Sequence, residues 1–145
     1  WGVSSSALIR YHAGMRLDLV AAQVAEIDSP HLGVCLDVGH AFLAAPFWPD
    51  PDYLDGVRAA APWIRHVHLH DNYGRLDDVS TSLADRLMFG EADCHLPPGW
   101  GEIPLREVVD ILVEAGYAGW LTLEMRARYA VHFAEALATT RALQE

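Results

Sequence analysis

Short strand-like segments alternate with helical patterns along this chain. The apolar segments are HLGVCLDVGH at 31–40, IRHVHLHDN at 64–72 and GWLTLEM at 119–125. Amphipathic helical patterns cover roughly 15–27, 52–61, 104–115 and 129–143. Parallel strands need a crossover connection, which is usually a helix, so this alternation favours a parallel sheet. We predict an α/β fold with about three to four parallel strands and flanking helices.

Turn residues mark the ends of the predicted helices. Ser29-Pro30 ends the first, Asp50-Pro51 precedes the second, and Pro104 begins the third, with Gly116 as its left-handed stop. We predict a poorly defined strand and loop over 1–14, and a long loop over 73–100 with a short helix near 83–88. Loops of this length in compact domains are usually functional or disordered, and we predict an active-site loop.

Composition restricts the class of protein. With 145 residues, 52% of them hydrophobic, the chain suits one domain, and no apolar run reaches the roughly 18 residues of a membrane span. A net charge of −10 opposes binding to nucleic acid. All ten basic residues are Arg, which excludes Schiff-base lysine chemistry within these residues. Two distant cysteines predict no disulfide framework and indicate a reducing, cytoplasmic compartment.

The predicted strands share a pattern of side-chain parity. Side chains alternate across a strand, and one face of each segment is aliphatic. The opposite face ends in Asp37 in the first segment, in His68 or His70 in the second, and in Glu124 in the third. Active sites of parallel sheets and barrels lie at this C-terminal edge, so we predict a convergent site. We interpret His66 as a core histidine and His70 as a contact for substrate or water. Asp71 beside it is interpreted as a contact for substrate or a support for the ligands.

Two further clusters carry ligand-type residues. DVGH places His40 three residues after Asp37, close enough for both to reach one ion. DCHLPPGWGEI places Asp93 and His95 on alternate residues, which point the same way in an extended segment. The alternative interpretations are polar strand ends with satisfied hydrogen bonds and, for the second cluster, an exposed turn.

Taken in order, GVCLDVGH, HVHLHDN, DCHLPPGWGEIP and GYAGWLTLEM resemble the xylose isomerase-like TIM barrels. That superfamily holds sugar phosphate isomerases and epimerases and the endonuclease IV type of apurinic-site nucleases. The resemblance covers nearly everything from Met15 onward. It implies the C-terminal half of a (β/α)8 barrel, a single partial domain over 1–145, because a full barrel needs about 250 residues.

The resemblance also implies a divalent metal at the C-terminal mouth of the barrel. In the sugar-active branch Glu, Asp, His and Glu hold the ion, and the last three match Asp37, His68 and Glu124. In the nuclease branch additional ligands match the set His40, Asp93 and His95. The first Glu has no match, so it is either lost or precedes Trp1. Mixed oxygen and nitrogen ligands suit Mn²⁺, Mg²⁺, Co²⁺ or Zn²⁺ without selecting among them.

The function implied is a metal-dependent sugar or sugar phosphate isomerase or epimerase, which moves a proton next to a metal-polarised carbonyl. Glu124 and His70 are the catalytic candidates. The substrate-binding candidates are His40, Trp100 and Arg126.

Two alternative functions remain at this point. One is an endonuclease IV-like zinc phosphodiesterase on abasic DNA, and the other is a non-catalytic barrel fragment or assembly module. A half barrel leaves strand edges unpaired, so we predict a homo-oligomer, or a missing N-terminal half, that completes the barrel. The expected ligand is a small sugar or polyol.

Overall fold

The computed structural model describes residues 16–47, 50, 52–75 and 93–145, and in these ranges three strands form one parallel sheet in the order β1-β2-β3. The strands are β1 (Val34–Asp37), β2 (Ile64–Leu69) and β3 (Leu121–Leu123). Asp37 pairs with His68, and His68 pairs with Thr122. The C-terminal ends of the strands therefore lie at one edge of the sheet, as the alternating pattern predicted.

Five helices precede, connect or follow the strands along the described part of the chain. They are α1 (Leu17–Ile27), α2 (Val38–Ala44), α3 (Tyr53–Ala60), α4 (Leu105–Glu114) and α5 (Phe133–Ala142). Three 3-10 turns, Ala45–Phe47, Ala61–Trp63 and Ala127–His132, occur among the described residues. The sequence predicted α1, α3 and α4 with nearly these bounds. It predicted the closing helix as one element, whereas its first turns are 3-10.

Local chemistry explains where the helices begin and end. The side chain of Asp52 accepts a hydrogen bond from the backbone N–H of Asp55 and caps α3. Asp28, with a φ of 47°, ends α1, and Gly116, with a φ of 78°, follows α4 as its left-handed stop. The short helix α2 was not predicted as a separate element. It begins directly after β1 because Asp37, the last strand residue, is also its N-cap.

The aliphatic face of the sheet forms the hydrophobic core with α1, α3 and α4. The core side chains with no exposed surface include Leu36, Val67 and Leu69 from the strands and Val57 and Val108 from the helices. The opposite face of the sheet is open: Cys35 and Thr122 are exposed. The interpretation of His66 as a core histidine is wrong. It is only half-buried on this open face, and its Nε2 lies 3.1 Å from Thr122 Oγ1.

Three sequence-based predictions lie outside the described residues: the strand and loop at 1–14, most of the long loop, and its short helix near 83–88. Within the described residues no helix is long and apolar enough to cross a membrane.

Candidate metal centre

Side chains from all three strand ends meet at the C-terminal edge of the sheet. The Nδ1 atom of His68 lies 3.1 Å from Oε2 of Glu124 and 3.9 Å from Oδ2 of Asp37. His40, in the first turn of α2, approaches the same Asp37 oxygen with its Nδ1 at 2.8 Å. Asp37 caps α2, accepting the backbone N–H of His40 at 2.8 Å, so the strand-to-helix turn fixes both residues. The structure thus brings together the convergent residues that parity predicted.

The segment that precedes α4 adds Asp93 and His95 to this edge. Oδ2 of Asp93 lies 3.3 Å from Nε2 of His40 and 2.9 Å from Nε2 of His95. The other ring nitrogen of His95, Nδ1, lies 2.7 Å from the carbonyl oxygen of Glu124. His40 therefore bridges the carboxylates of Asp37 and Asp93.

His70 lies behind the other ligands rather than at the loop. Its side chain is 0% exposed, its Nε2 donates to Oδ1 of Asp37 at 3.0 Å, and its ring stacks on His95 with centroids 3.8 Å apart. A Cβ at Gly39 would lie 2.0 Å from Cε1 of His70, so only glycine leaves room for this ring. The sequence-based expectation was that His70 contacts substrate or water at the loop. The structure instead buries its ring between Gly39, His95 and Asp37.

The charges of the site are strongly coupled. Hydrogen bonds to Asp37 and then to Asp93 raise the pKa of His40 to about 10, against the opposing effect of burial. Burial raises the pKa of Asp37, but hydrogen bonds from His40 and His70 outweigh it and hold that pKa well below its usual range. The pKa of Asp93 is likewise held low by His40 and His95 against burial. A protonated His40 therefore places a positive charge between two carboxylates.

The donor set fits a divalent cation. Two groups of described residues place one ligand atom each within 4.8 Å of one another: His40, His70, Asp93 and His95 form one, and Asp37, His70 and Glu124 form the other. His68 is outside both groups, although its Nδ1 is the nearest ring nitrogen to the Glu124 carboxylate. Asp37, His68 and Glu124 also satisfy the ligand types of a mixed oxygen and nitrogen site.

Several acceptor and donor atoms of this cluster are buried without a hydrogen-bond partner among the described residues. They are His70 Nδ1, Asp93 Oδ1, Glu124 Oε2 and Arg126 Nε. Glu124 Oε2 lies 3.1 Å from His68 Nδ1 but makes no hydrogen bond with it. Buried polar atoms without partners are costly, so carboxylate oxygens in this state are suited to an added cation.

Asp71 and Asn72 follow His70. The sequence suggested Asp71 as a contact for substrate or a support for the ligands, and it suggested no role for Asn72. Both are buried, with exposures of 1% and 0%. The Asp71 carboxylate accepts backbone N–H groups from Gly99, Gly101 and Ile103. Burial raises the pKa of Asp71, and these N–H groups oppose the rise. A signal was present in the sequence, since glycines at 99 and 101 permit close approach of backbone to a carboxylate.

Arg126 and Trp100, two of the substrate-binding candidates, lie in different parts of the structure. Arg126 donates through a terminal nitrogen to the carbonyl oxygen of Asp93 at 2.6 Å, so it borders the ligand cluster. Trp100 packs on the C-terminal segment: its Nε1 donates to Oε1 of Glu135 at 3.0 Å, and its ring meets His132 with centroids 4.6 Å apart.

A parallel sheet with helices on its aliphatic face and ligand-type side chains at its C-terminal edge defines a partial (β/α)8 barrel. The family model described as "Xylose isomerase-like TIM barrel" matches residues 9–144. The chain therefore belongs to the xylose isomerase-like TIM barrel family, which confirms the resemblance.

The similar proteins include an epimerase and a dehydratase. The chain is 28% identical over 124 residues to fructoselysine 3-epimerase of Escherichia coli O157:H7, covering 86% of this chain and 44% of that protein. It is 30% identical over 104 residues to inosose dehydratase of Bacillus licheniformis, covering 70% of this chain and 32% of that protein.

The structure also superposes on a solved relative. The crystal structure of a D-tagatose 3-epimerase-like protein matches with a TM-score of 0.58 and 29% identity, covering 90% of this chain and 42% of that one. This chain thus spans less than half the length of the relatives that it matches, and its homologues include epimerases.

Proposed function

We propose that this chain carries the metal site of a sugar or polyol isomerase or epimerase that acts by proton transfer next to a polarised carbonyl. The observation that carries the proposal is the meeting of the carboxylates of Asp37 and Glu124 with Nδ1 of His68 at the C-terminal edge of the sheet. The homology to epimerases supports the same reaction class.

Asp37, His68 and Glu124 would hold the ion, which is Mn²⁺, Mg²⁺, Co²⁺ or Zn²⁺. His40, Asp93 and His95 are adjacent and supply further ligands or bind substrate hydroxyls. Bound there, the ion supplies Lewis-acid polarisation of a substrate carbonyl and its neighbouring hydroxyl.

The chain's own residues provide the proton chemistry and the binding. Glu124 Oε2, buried without a hydrogen-bond partner among the described residues, is the base that removes the proton next to the carbonyl. His70 is proposed to act through Asp37, because its Nε2 donates to Oδ1 of that carboxylate. Arg126, whose Nε has no hydrogen-bond partner in the described part of the chain, is proposed to bind a phosphate or carboxylate of the substrate. Trp100 is proposed to border the ring of a sugar.

A second carboxylate is required to return the proton on the opposite face, and the described residues offer none that matches the missing Glu of the family. We therefore propose that another segment completes both the barrel and the site, either an N-terminal half or a second copy of this chain. Cysteine usage supports a reducing, cytoplasmic setting for this assembly.

An endonuclease IV-like phosphodiesterase is the second candidate, and one observation favours it. The described residues contain two candidate ligand groups, which have His70 in common. Two groups of ligands suit more than one ion. Zinc analysis of the dialysed protein and an assay with abasic DNA test it: cleavage with several zinc ions per chain supports the nuclease, whereas a single ion and no cleavage rejects it. The net charge of −10 opposes the binding of DNA.

Metal binding by matched variants tests the primary proposal. We expect calorimetric titration with Co²⁺ or Mn²⁺ to show one measurable site in the wild type. Glu124→Gln should weaken it by at least about tenfold, because one charged ligand becomes neutral. Glu114→Gln, at the exposed end of α4, is the control and should bind as the wild type does.

Ketose interconversion with added Mn²⁺ or Co²⁺ then tests the activity, which we expect only when another segment supplies the second carboxylate. Absence of metal binding in the wild type, with no effect of Glu124→Gln, would support the non-catalytic fragment instead.

A further inference from the structure

The Asp71-Asn72 pair lies between the two segments that carry the outer ligand-type residues. On one side is the first turn of α2 with Gly39 and His40, and on the other is the segment 93–103 with Asp93 and His95. Neither side chain of the pair belongs to the two groups of described residues that could hold a metal ion. Their contacts instead go to the backbone of these two segments.

Asp71 holds the segment 93–103. Its Oδ2 accepts the N–H groups of Gly99 and Gly101, both at 2.9 Å, and its Oδ1 accepts that of Ile103 at 3.2 Å. Its backbone N–H and C=O exchange hydrogen bonds with Leu96, each at 2.9 Å. A Cβ at Gly101 would lie 2.3 Å from Oδ1 of Asp71, so the backbone approaches this carboxylate as closely as glycine allows.

Asn72 holds the other segment. Its Nδ2 donates to the carbonyl oxygen of Gly39 at 3.0 Å, directly before His40, and its Oδ1 accepts the N–H of Gly74 at 2.8 Å. Its own carbonyl oxygen accepts the N–H of Glu102 at 2.9 Å. Asn72 therefore contacts both flanking segments.

We infer that Asp71 and Asn72 are positioning residues that set the separation between His40 and the Asp93–His95 pair. The effect of these residues on metal binding rests on the proposed function. The separation between His40 and the Asp93–His95 pair does not, because it is present in the metal-free chain. His40 and His95 meet through one oxygen of Asp93, at 3.3 and 2.9 Å, with ring centroids 5.5 Å apart. A displacement of about 1 Å in either segment would break that shared contact.

Two nearly isosteric substitutions test separately the contacts to the segment 93–103 and those to the first turn of α2. Asp71→Asn replaces one accepting oxygen by an NH₂ group, so it can no longer accept all of the N–H groups from 99, 101 and 103. Asn72→Asp removes the donor to Gly39 and retains the acceptor for Gly74. Asp110→Asn, on the exposed side of α4, is the matched control.

The first readout uses no metal. In the metal-free protein at a fixed pH, we expect the ring ¹⁵N chemical shifts of His95 and His40 to change in Asp71→Asn, and that of His40 in Asn72→Asp. Those of His31, at the opposite edge of the sheet, should stay unchanged in every variant, and circular dichroism reports whether the fold persists. Wild-type imidazole shifts in both folded variants would overturn the inference.

The second readout is the absorption spectrum and affinity of bound Co²⁺. Loss of supporting contacts around metal ligands typically lowers affinity about 10- to 100-fold, and we expect a loss of this size with an altered visible spectrum in Asp71→Asn. If Asp71→Asn does not fold, Asn72→Asp alone decides, by the same two readouts. If the wild type binds no Co²⁺, the proposed function fails, and the imidazole shifts still decide the positioning role.

Discussion

At the scale of single residues, a glycine controls the position of a buried histidine. His70 has no exposed surface and packs directly on Gly39, where the ring occupies the space of a side chain. Gly39 belongs to the DVGH motif, between Asp37 and His40. The requirement for glycine here follows from the close contact with the ring, since Gly39 does not have a positive φ.

The substitution Gly39→Ala tests this contact. We expect it to lower the free energy of unfolding by about 1–3 kcal/mol, because the added methyl group forces His70 or α2 to move. Gly56→Ala is the control in α3: its Cβ would lie 3.7 Å from Leu17, and a stabilisation of up to about 1 kcal/mol is expected. Urea unfolding of both variants measures the difference, and equal stability of the two would contradict the packing of His70 on Gly39.

Protonation of His40 predicts how metal binding depends on pH. With a pKa of about 10 in the metal-free protein, His40 is charged at neutral pH and must lose its proton to act as a ligand. If His40 is a ligand, the apparent affinity should rise by about tenfold per pH unit between pH 6 and 8. Calorimetry in buffers of different ionisation enthalpy counts the released protons, and His40→Gln should remove one of them.

In the metal-free protein, the raised pKa of His40 makes stability fall as pH rises, whereas metal affinity rises with pH. The pKa of His40 is raised above its unfolded value of 6.5, so the contribution of His40 is fully present below pH 6.5. It is lost as pH rises toward about 10. A metal-free protein that gains stability over this range would show that His40 does not bridge the two carboxylates.

At the scale of elements, Asp37 both caps α2 and belongs to the candidate site. Asn caps helices about as well as Asp does, whereas Ala loses about 1 kcal/mol. With chelator present, we therefore expect Asp37→Asn to retain about 1 kcal/mol more stability than Asp37→Ala, while neither binds metal. The control is the same two substitutions, Asn and Ala, at Asp52, which caps α3. They should differ in stability by a similar amount and bind metal as the wild type does. Metal binding by Asp37→Asn would remove the carboxylate from the proposed ligand set.

At the scale of the whole molecule, the sheet has two open edges among the described residues. β1 and β3 each pair only with β2, and the face that carries Cys35, His66 and Thr122 is partly or fully open to water. An eight-stranded barrel would bury this face against the strands of its other half. Unpaired edges of this kind readily bind another chain.

We expect the isolated chain to self-associate through these edges. Light scattering coupled to size exclusion should give at least twice the 16.0 kDa mass of one chain, with protection of β1 and β3 amides from hydrogen exchange. Co-expression with the N-terminal half of a full-length homologue should replace the self-association by a mixed complex. A stable monomer with protected β1 and β3 amides would contradict completion of the barrel by a second copy and by an N-terminal half alike.

The sequence alone determined the parallel α/β class, the core face of each strand and the convergence of Asp37, His68 and Glu124. These follow from local rules: side chains alternate along a strand, and parallel strands end at one edge. The starts and ends of α1, α3 and α4 were predictable for the same reason, since prolines, aspartates and a glycine act on their neighbours in the chain.

Only the tertiary structure decided how the outer residues are arranged. Burial of His70 depends on Gly39, which is 31 positions away, and the role of Asp71 depends on N–H groups near residue 100. His66 is half-buried because the face opposite the core is open, which strand parity cannot reveal. Such contacts join residues that are distant in sequence, and their distances are set by the packing of whole elements rather than by local pattern.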